Sequence, residues 1–163
     1  KAIVRWLGYR TGMKPTTKMQ ETAFAFMVSL RTGMRAGEIL TLGDENVNLE
    51  KRVAKVEHKT QHITGRPREV PLSKRAVRLL TPAMAPHIFT ITSASLDVLF
   101  RRAKANVQIE DLHFHDARAD ALTRFSRKVD VMTLAKISGH RDLKILQDHY
   151  YRVTSEDIAR RLD

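Results

Sequence analysis

The sequence contains no cysteine. Disulfide staples, cysteine zinc sites and thiol catalysis are therefore excluded. No apolar run approaches the roughly 18 residues that a membrane-spanning helix needs, and no signal-peptide pattern opens the chain, which starts at Lys1. There is no internal repeat and no low-complexity tract. Acidic residues are in short supply: 18 Asp and Glu stand against 29 Lys and Arg, a formal net charge of +11. That imbalance favours a polyanionic partner, with nucleic acid ahead of a membrane surface. What remains is enough for one globular domain. The chain has 163 residues, 42% of them hydrophobic, which supports a proper core. The start at Lys1 reads as an excised domain: residues 1–16 are expected as a linker and entry segment, with Trp6 and Tyr9 docking, and 17–163 as the domain proper.

The chain reads mostly as helix. Thr16 or Thr17 can cap a helix whose apolar positions are Met19, Ala23, Phe26, Met27 and Leu30, ended by Gly33. In the next stretch, TGMRAGEIL, Arg35 stands at the start of a short helix that carries Glu38. Free backbone N–H groups and a cation would there meet the same anion, with Glu38 fixing the guanidinium or forming only a surface pair with it. Residues 52–58 and 68–72 read as two short strands. Gly65 and Pro67 mark their connection, and Lys59 lies at the end of the first strand. Ser73 caps a further helix that stops near Pro82. Another helix, from Ser93 or Ser95 to about Ala105, pairs an apolar face with the basic Arg101, Arg102 and Lys104, the kind of face a phosphate backbone contacts. Helices are also expected over about 115–127, 130–138 and 142–150. The tail, SEDIARRL, begins with a Ser155 cap. Its apolar positions, Ile158, Ala159 and Leu162, are too few to anchor it on this domain alone, which suggests docking on a partner subunit. The fold class is mainly α with a small antiparallel β-hairpin or sheet.

Three chemical features follow one another between residues 112 and 151. His115 and Arg118 lie one helical turn apart on one face. The planar guanidinium and the imidazole together suit a phosphate. Gly139-His140 follows, readable on its own as a helix C-cap. Then comes a tyrosine pair, Tyr150-Tyr151, either of which could act as a nucleophile if activated. No carboxylate cluster has metal-ligand spacing, and the His/Asp group at 113–116 resembles a metal site only superficially.

With Arg35, Lys59, His115, Arg118, His140 and Tyr150 in this order, the chain resembles the catalytic domain of the tyrosine recombinases, the phage-integrase family. The matching stretches are TGMRAGEILTL, REVPL, HFHDARADALTRF, ISGHRDL and the terminal tyrosine. The resemblance implies a DNA breaking-rejoining fold and a site-specific recombinase or integrase. In it Arg35 and Arg118 would neutralise the phosphate, His115 and His140 would add donors, and Lys59 would protonate the leaving oxygen. Lys55 is a weaker candidate for that lysine. The expected nucleophile is Tyr150, with Tyr151 as competitor: Tyr150 stands one residue further from Gly139-His140 than the family pattern, where His149 would fall, but the following tail aligns the nucleophile at 150. Ala117 and Ala119 replace the Leu and His usual beside the arginine, at positions expected to be packing. The resemblance implies no cofactor and no metal, double-stranded DNA as partner, and a homotetramer on DNA. The fragment alone is expected to be a monomer that binds DNA weakly, and an N-terminal DNA-binding domain is expected to be absent from it. A cytoplasmic setting follows, and no membrane contact. Without DNA, the tyrosine segment and the Lys59 hairpin are expected to be mobile or displaced. Two other readings stay open: a type IB topoisomerase that nicks and reseals one duplex, and a basic DNA-binding module without activity.

Overall fold

The structure of the chain, a computed structural model, describes residues 1–57, 67–151 and 154–162. Helices dominate it. In chain order they are α1 (Ala2–Trp6), α2 (Lys18–Thr32), α3 (Ala36–Ile39), α4 (Lys74–Leu80), α5 (Ser93–Asn106), α6 (Asp116–Ser126), α7 (Val131–Ser138), α8 (Leu143–Tyr150) and α9 (Ser155–Leu162). A short 3-10 turn, Thr81–Ala83, follows α4 at Pro82. Side-chain caps start many of these helices. Thr17, Ser73, Thr92, Asp130 and Asp142 each accept a backbone N–H from the first turn, satisfying donors that a helix start leaves free.

Helix α2 is the central element. Phe24, Ala25, Val28, Ser29 and Thr32 are all buried, so it is covered on most sides rather than along one stripe. Helices α1, α4, α5 and α6 pack around it. Its ring stacks extend outward, Phe24 onto Tyr9 and Phe89, and Phe26 onto Phe100 and Phe114. Near its start the buried Glu21 carboxylate accepts the Thr90 and Ile91 N–H groups and the Thr90 hydroxyl, at 2.8–2.9 Å. Residues 1–16, expected as a linker, contribute to this core: Ile3, Leu7 and Tyr9 are buried in it, and Trp6 packs against it.

The expected hairpin is part of a three-stranded antiparallel sheet of β1 (Val47–Asn48), β2 (Val53–Val56) and β3 (Arg68–Pro71), in that order. The register pairs Val47 with Ala54, Ala54 with Val70, and Val56 with Arg68. Side chains alternate strictly on β3: Arg68 and Val70 face inward, Glu69 and Pro71 outward. The inward face of β3 meets α7. A second, smaller core lies here, made of Leu122, Leu134 and Leu146 with Phe125, Val129, Val131 and both tyrosines against them.

Candidate phosphate site at two helix ends

Two helices end in the same way and at the same place. Helix α2 stops at Gly33 and α7 at Gly139, both in the left-handed region with φ of 70° and 72°. A helix C-terminus presents unsatisfied carbonyls and the negative end of the macrodipole. Arginines fill these ends. Arg118, 3% exposed, donates from Nη1 to the Gly33 carbonyl and from Nη2 to the Ser138 carbonyl at 2.7 Å. Arg68 donates to the Ile137 carbonyl, and Arg124 to that of Leu30. A buried cation needs partners of this kind, because desolvation alone would be costly. Burial pulls the Arg118 guanidinium down to about 10, with the Arg35 and Arg68 charges adding to the fall and Glu38 and Tyr150 opposing it. It stays charged at neutral pH.

Arg35 caps α3 and remains partly exposed, with its Nη1 3.1 Å from Glu38 Oε1. Glu38 is buried and holds more than Arg35. Its Oε2 accepts the Arg35 backbone N–H at 2.9 Å and lies 2.5 Å from Arg68 Nη2. Burial pushes the Glu38 carboxyl up, but the hydrogen bonds and charges of Arg68 and Arg35 outweigh it and hold the group below the usual carboxylate range. The carboxylate thus bridges an exposed arginine and a buried one. Arg68 also packs across Gly139: a Cβ at that position would meet Arg68 Cδ and Nε at 2.9 Å. Glycine is required there twice, for its backbone and for this contact.

Arg35, His115 and Arg118 line one cleft of about 290 Å³, together with Met34, Asp97 and His113. His115 opens α6 and is exposed, positioned by Phe114, which packs edge-on against Phe26 and Phe100. Ala117 is buried, in keeping with a packing role. His140 follows the Gly139 turn and is half-buried. Its Nδ1 lies 2.8 Å from Ser138 Oγ. Burial, then the charges of Arg118, Arg35, Arg68 and His115, push its pKa down to about 4, so it is neutral at pH 7.

The tyrosines part company. Tyr151 donates its hydroxyl to the Val129 carbonyl at 2.6 Å, and burial together with Asp130 raises its pKa. Tyr150 has no such tether among the described residues. It packs on the small core, stacks against His149 and faces a separate hollow with Tyr151, Gln147 and Ile158. It does not line the cleft that Arg35, His115 and Arg118 share, and it is the last-named electrostatic neighbour of Arg118. Lys59 lies outside the described residues. Lys55 points outward and lines a different hollow, with Asp44, Glu45 and Glu69. Among the described residues, no three His, Asp or Glu side chains come together to hold a metal ion.

Sequence reasoning did not single out Arg68 or Ser138. The alternation of Arg68, Val70 and Leu72 was the available signal for the first, since an arginine in phase with two inward apolar residues points into the core. For Ser138, whose hydroxyl has meaning only once His140 folds back on it, there was none.

The model of the phage integrase family matches residues 11–157. A putative integrase/recombinase of Haemophilus influenzae (strain ATCC 51907 / DSM 11121 / KW20 / Rd) is 45% identical over 152 residues, covering 90% of this chain and 49% of that protein. A shufflon-specific DNA recombinase of Escherichia coli is 36% identical, covering 85% of this chain and 36% of its own length. The chain thus spans half or less of the curated relatives it matches. Among solved structures, the Tn1549 transposon integrase in complex with circular intermediate DNA superposes with a TM-score of 0.72 at 20% identity, covering 97% of this chain and 63% of that one. The catalytic domain of bacteriophage HP1 integrase gives 0.66 at 19% identity, covering 98% and 90%. At these identities the structural likeness speaks for the fold.

Proposed function

The chain belongs to the phage integrase family, and from that premise we propose that it is the catalytic domain of a site-specific DNA recombinase. The observation that carries the reading is the buried Arg118 held between two helix ends, with Arg35 and His115 opening onto the same cleft. Such a site offers preorganised positive charge and donors where a phosphodiester under attack concentrates negative charge.

The chemistry runs as follows. The Tyr150 oxygen attacks the phosphorus, and the bond to the 5′ oxygen breaks. His115 helps take the phenolic proton, and Lys59 supplies a proton to the departing 5′ oxygen. A phenol has an ordinary pKa of about 10 and is a poor nucleophile at neutral pH. The product is a 3′-phosphotyrosyl link and a free 5′ hydroxyl. A 5′ hydroxyl of a second strand then reverses the step and expels the tyrosine, so the phosphodiester energy is kept and no ATP is consumed. Arg35 and Arg118 supply the charge that a metal would otherwise bring.

The tethered Tyr151 hydroxyl supports Tyr150 as the nucleophile. Residues 17–163 carry the candidate catalytic side chains, and residues 1–16 add to the core that supports them. Double-stranded DNA is the substrate, and the working assembly is a homotetramer on two DNA sites. The exposed Ile158 and Leu162 on α9, 49% and 82% accessible, are suited to docking on a neighbouring subunit. No helix among the described residues is long and apolar enough to cross a membrane, and the reaction belongs in the cytoplasm with its DNA.

A strand-transfer assay tests the reading: the full-length protein is given two duplexes carrying its recombination site, and in parallel a supercoiled plasmid. Recombinant product is the expected result. Relaxation of the plasmid with no joined product would instead favour the topoisomerase reading.

A further inference from the structure

The last turn of α7 carries a hydroxyl that the chemistry above leaves unused. Ser138 is fully buried. Its carbonyl accepts Arg118 Nη2, and its Oγ lies 2.8 Å from His140 Nδ1. The left-handed turn at Gly139 brings His140 back over the serine two residues before it, and the His140 backbone N–H reaches the same Oγ at 3.4 Å. One side chain therefore touches the candidate histidine while its backbone holds the candidate arginine.

Resting on the recombinase reading, we propose that Ser138 is a positioning residue whose hydroxyl donates to His140 Nδ1 and so holds the imidazole as the Nε2–H tautomer, with a donor facing the transferring phosphate. A neutral imidazole carries a single N–H, and the partner of one nitrogen decides which nitrogen bears it. His140 is kept neutral by its burial and by Arg118, Arg35, Arg68 and His115, which surround it. The hydroxyl proton of Ser138 has two acceptors in range, His140 Nδ1 at 2.8 Å and the Ala135 carbonyl at 3.5 Å. The shorter contact is a normal hydrogen bond and the longer one is marginal. The opposite tautomer would send the proton to that marginal acceptor and make Ser138 Oγ accept from both His140 N–H groups. It would also turn a lone pair, rather than a donor, toward an anion.

The test is long-range nitrogen–proton NMR on the histidine-labelled chain at pH 7, with His140 assigned by its loss in His140→Gln. The expected spectrum shows Nδ1 unprotonated and Nε2 protonated in the wild type, and a shift toward a tautomer mixture in Ser138→Ala. Protonated Nδ1 in the wild type, or an unchanged pattern in Ser138→Ala, overturns the proposal; the wild-type spectrum decides alone if the variant fails to fold. Covalent capture on nicked core-site DNA supplies the second arm. Ser138→Ala is expected to slow capture about tenfold, the scale of one lost hydrogen bond, with DNA affinity unchanged. Unaltered capture despite an altered tautomer refutes the positioning role. Capture absent from the wild type counts against the recombinase reading, and the tautomer measurement is read independently of it.

Discussion

Arg118 and Tyr150 both belong to the C-terminal third of the chain, but they are held very differently. Arg118 rises from a helix packed on the large core, and main-chain carbonyls from two helices fix its guanidinium. Its neighbour Arg68 is also buried, pressed between Glu38, Ile137 and Gly139. Tyr150 ends a two-turn helix whose fully buried anchor is Leu146, and its hydroxyl is untethered among the described residues. The charge-bearing side of the site is thus part of the fold. The side expected to carry the nucleophile rests on a small core of three leucines. Cations that must meet a developing charge gain from being fixed in advance. A nucleophile that must reach DNA, and then let go of it, gains from an anchor that gives way at low energy.

The strongest way to break this comparison is at Arg118. Arg118→Lys keeps a charge but cannot span two carbonyls with a planar fork, so single-turnover cleavage should fall by about 10²–10³-fold. A loss of only a few-fold would mean the fixed geometry matters little. Leu146→Ala sharpens the other side. It should destabilise by about 3 kcal/mol, and hydrogen exchange should rise in 143–150 while 18–32 stays protected. Equal loosening of both would deny two separately held regions. Gly139→Ala forces a Cβ into a left-handed backbone and onto Arg68. It should cost about 1–2 kcal/mol in urea unfolding, felt at both helix ends. The smallest expected effect is on pH dependence. The folded pKa of His140 lies below its unfolded value, so the unfolded chain binds more protons and stability falls as pH drops from about 6.5 toward 4. His140→Gln should flatten part of that acid limb, and an unchanged limb would place His140 in water.

Much of the fold was legible in the sequence because its signals are local. Thr17, Ser73, Asp130 and Asp142 mark helix starts by themselves, and Gly33 and Gly139 mark helix ends. Strand β1 was missed because two residues, Val47 and Asn48, carry no periodicity; only their pairing with Ala54 and Val53 makes them a strand. At the site, the expected Arg35, His115 and Arg118 share a cleft, whereas the buried partners around them were hidden. Arg68 was not singled out within its strand, and its burial depends on α7 closing over β3. For the tyrosines, the spacing from Gly139-His140 and the tail alignment disagreed by one residue, and the tail favoured Tyr150. The hydrogen bond from the Tyr151 hydroxyl to Val129, 22 positions away, is a contact that no spacing shows.

The most direct test of the account is a suicide-substrate trap. Wild type, Tyr150→Phe and Tyr151→Phe are incubated with nicked DNA carrying the core site, and denaturant-resistant protein–DNA bands are compared. The account predicts a covalent band in wild type and Tyr151→Phe and none in Tyr150→Phe. A band that survives in Tyr150→Phe and vanishes in Tyr151→Phe would contradict it, because the tyrosine tied to Val129 would then be the one that moves.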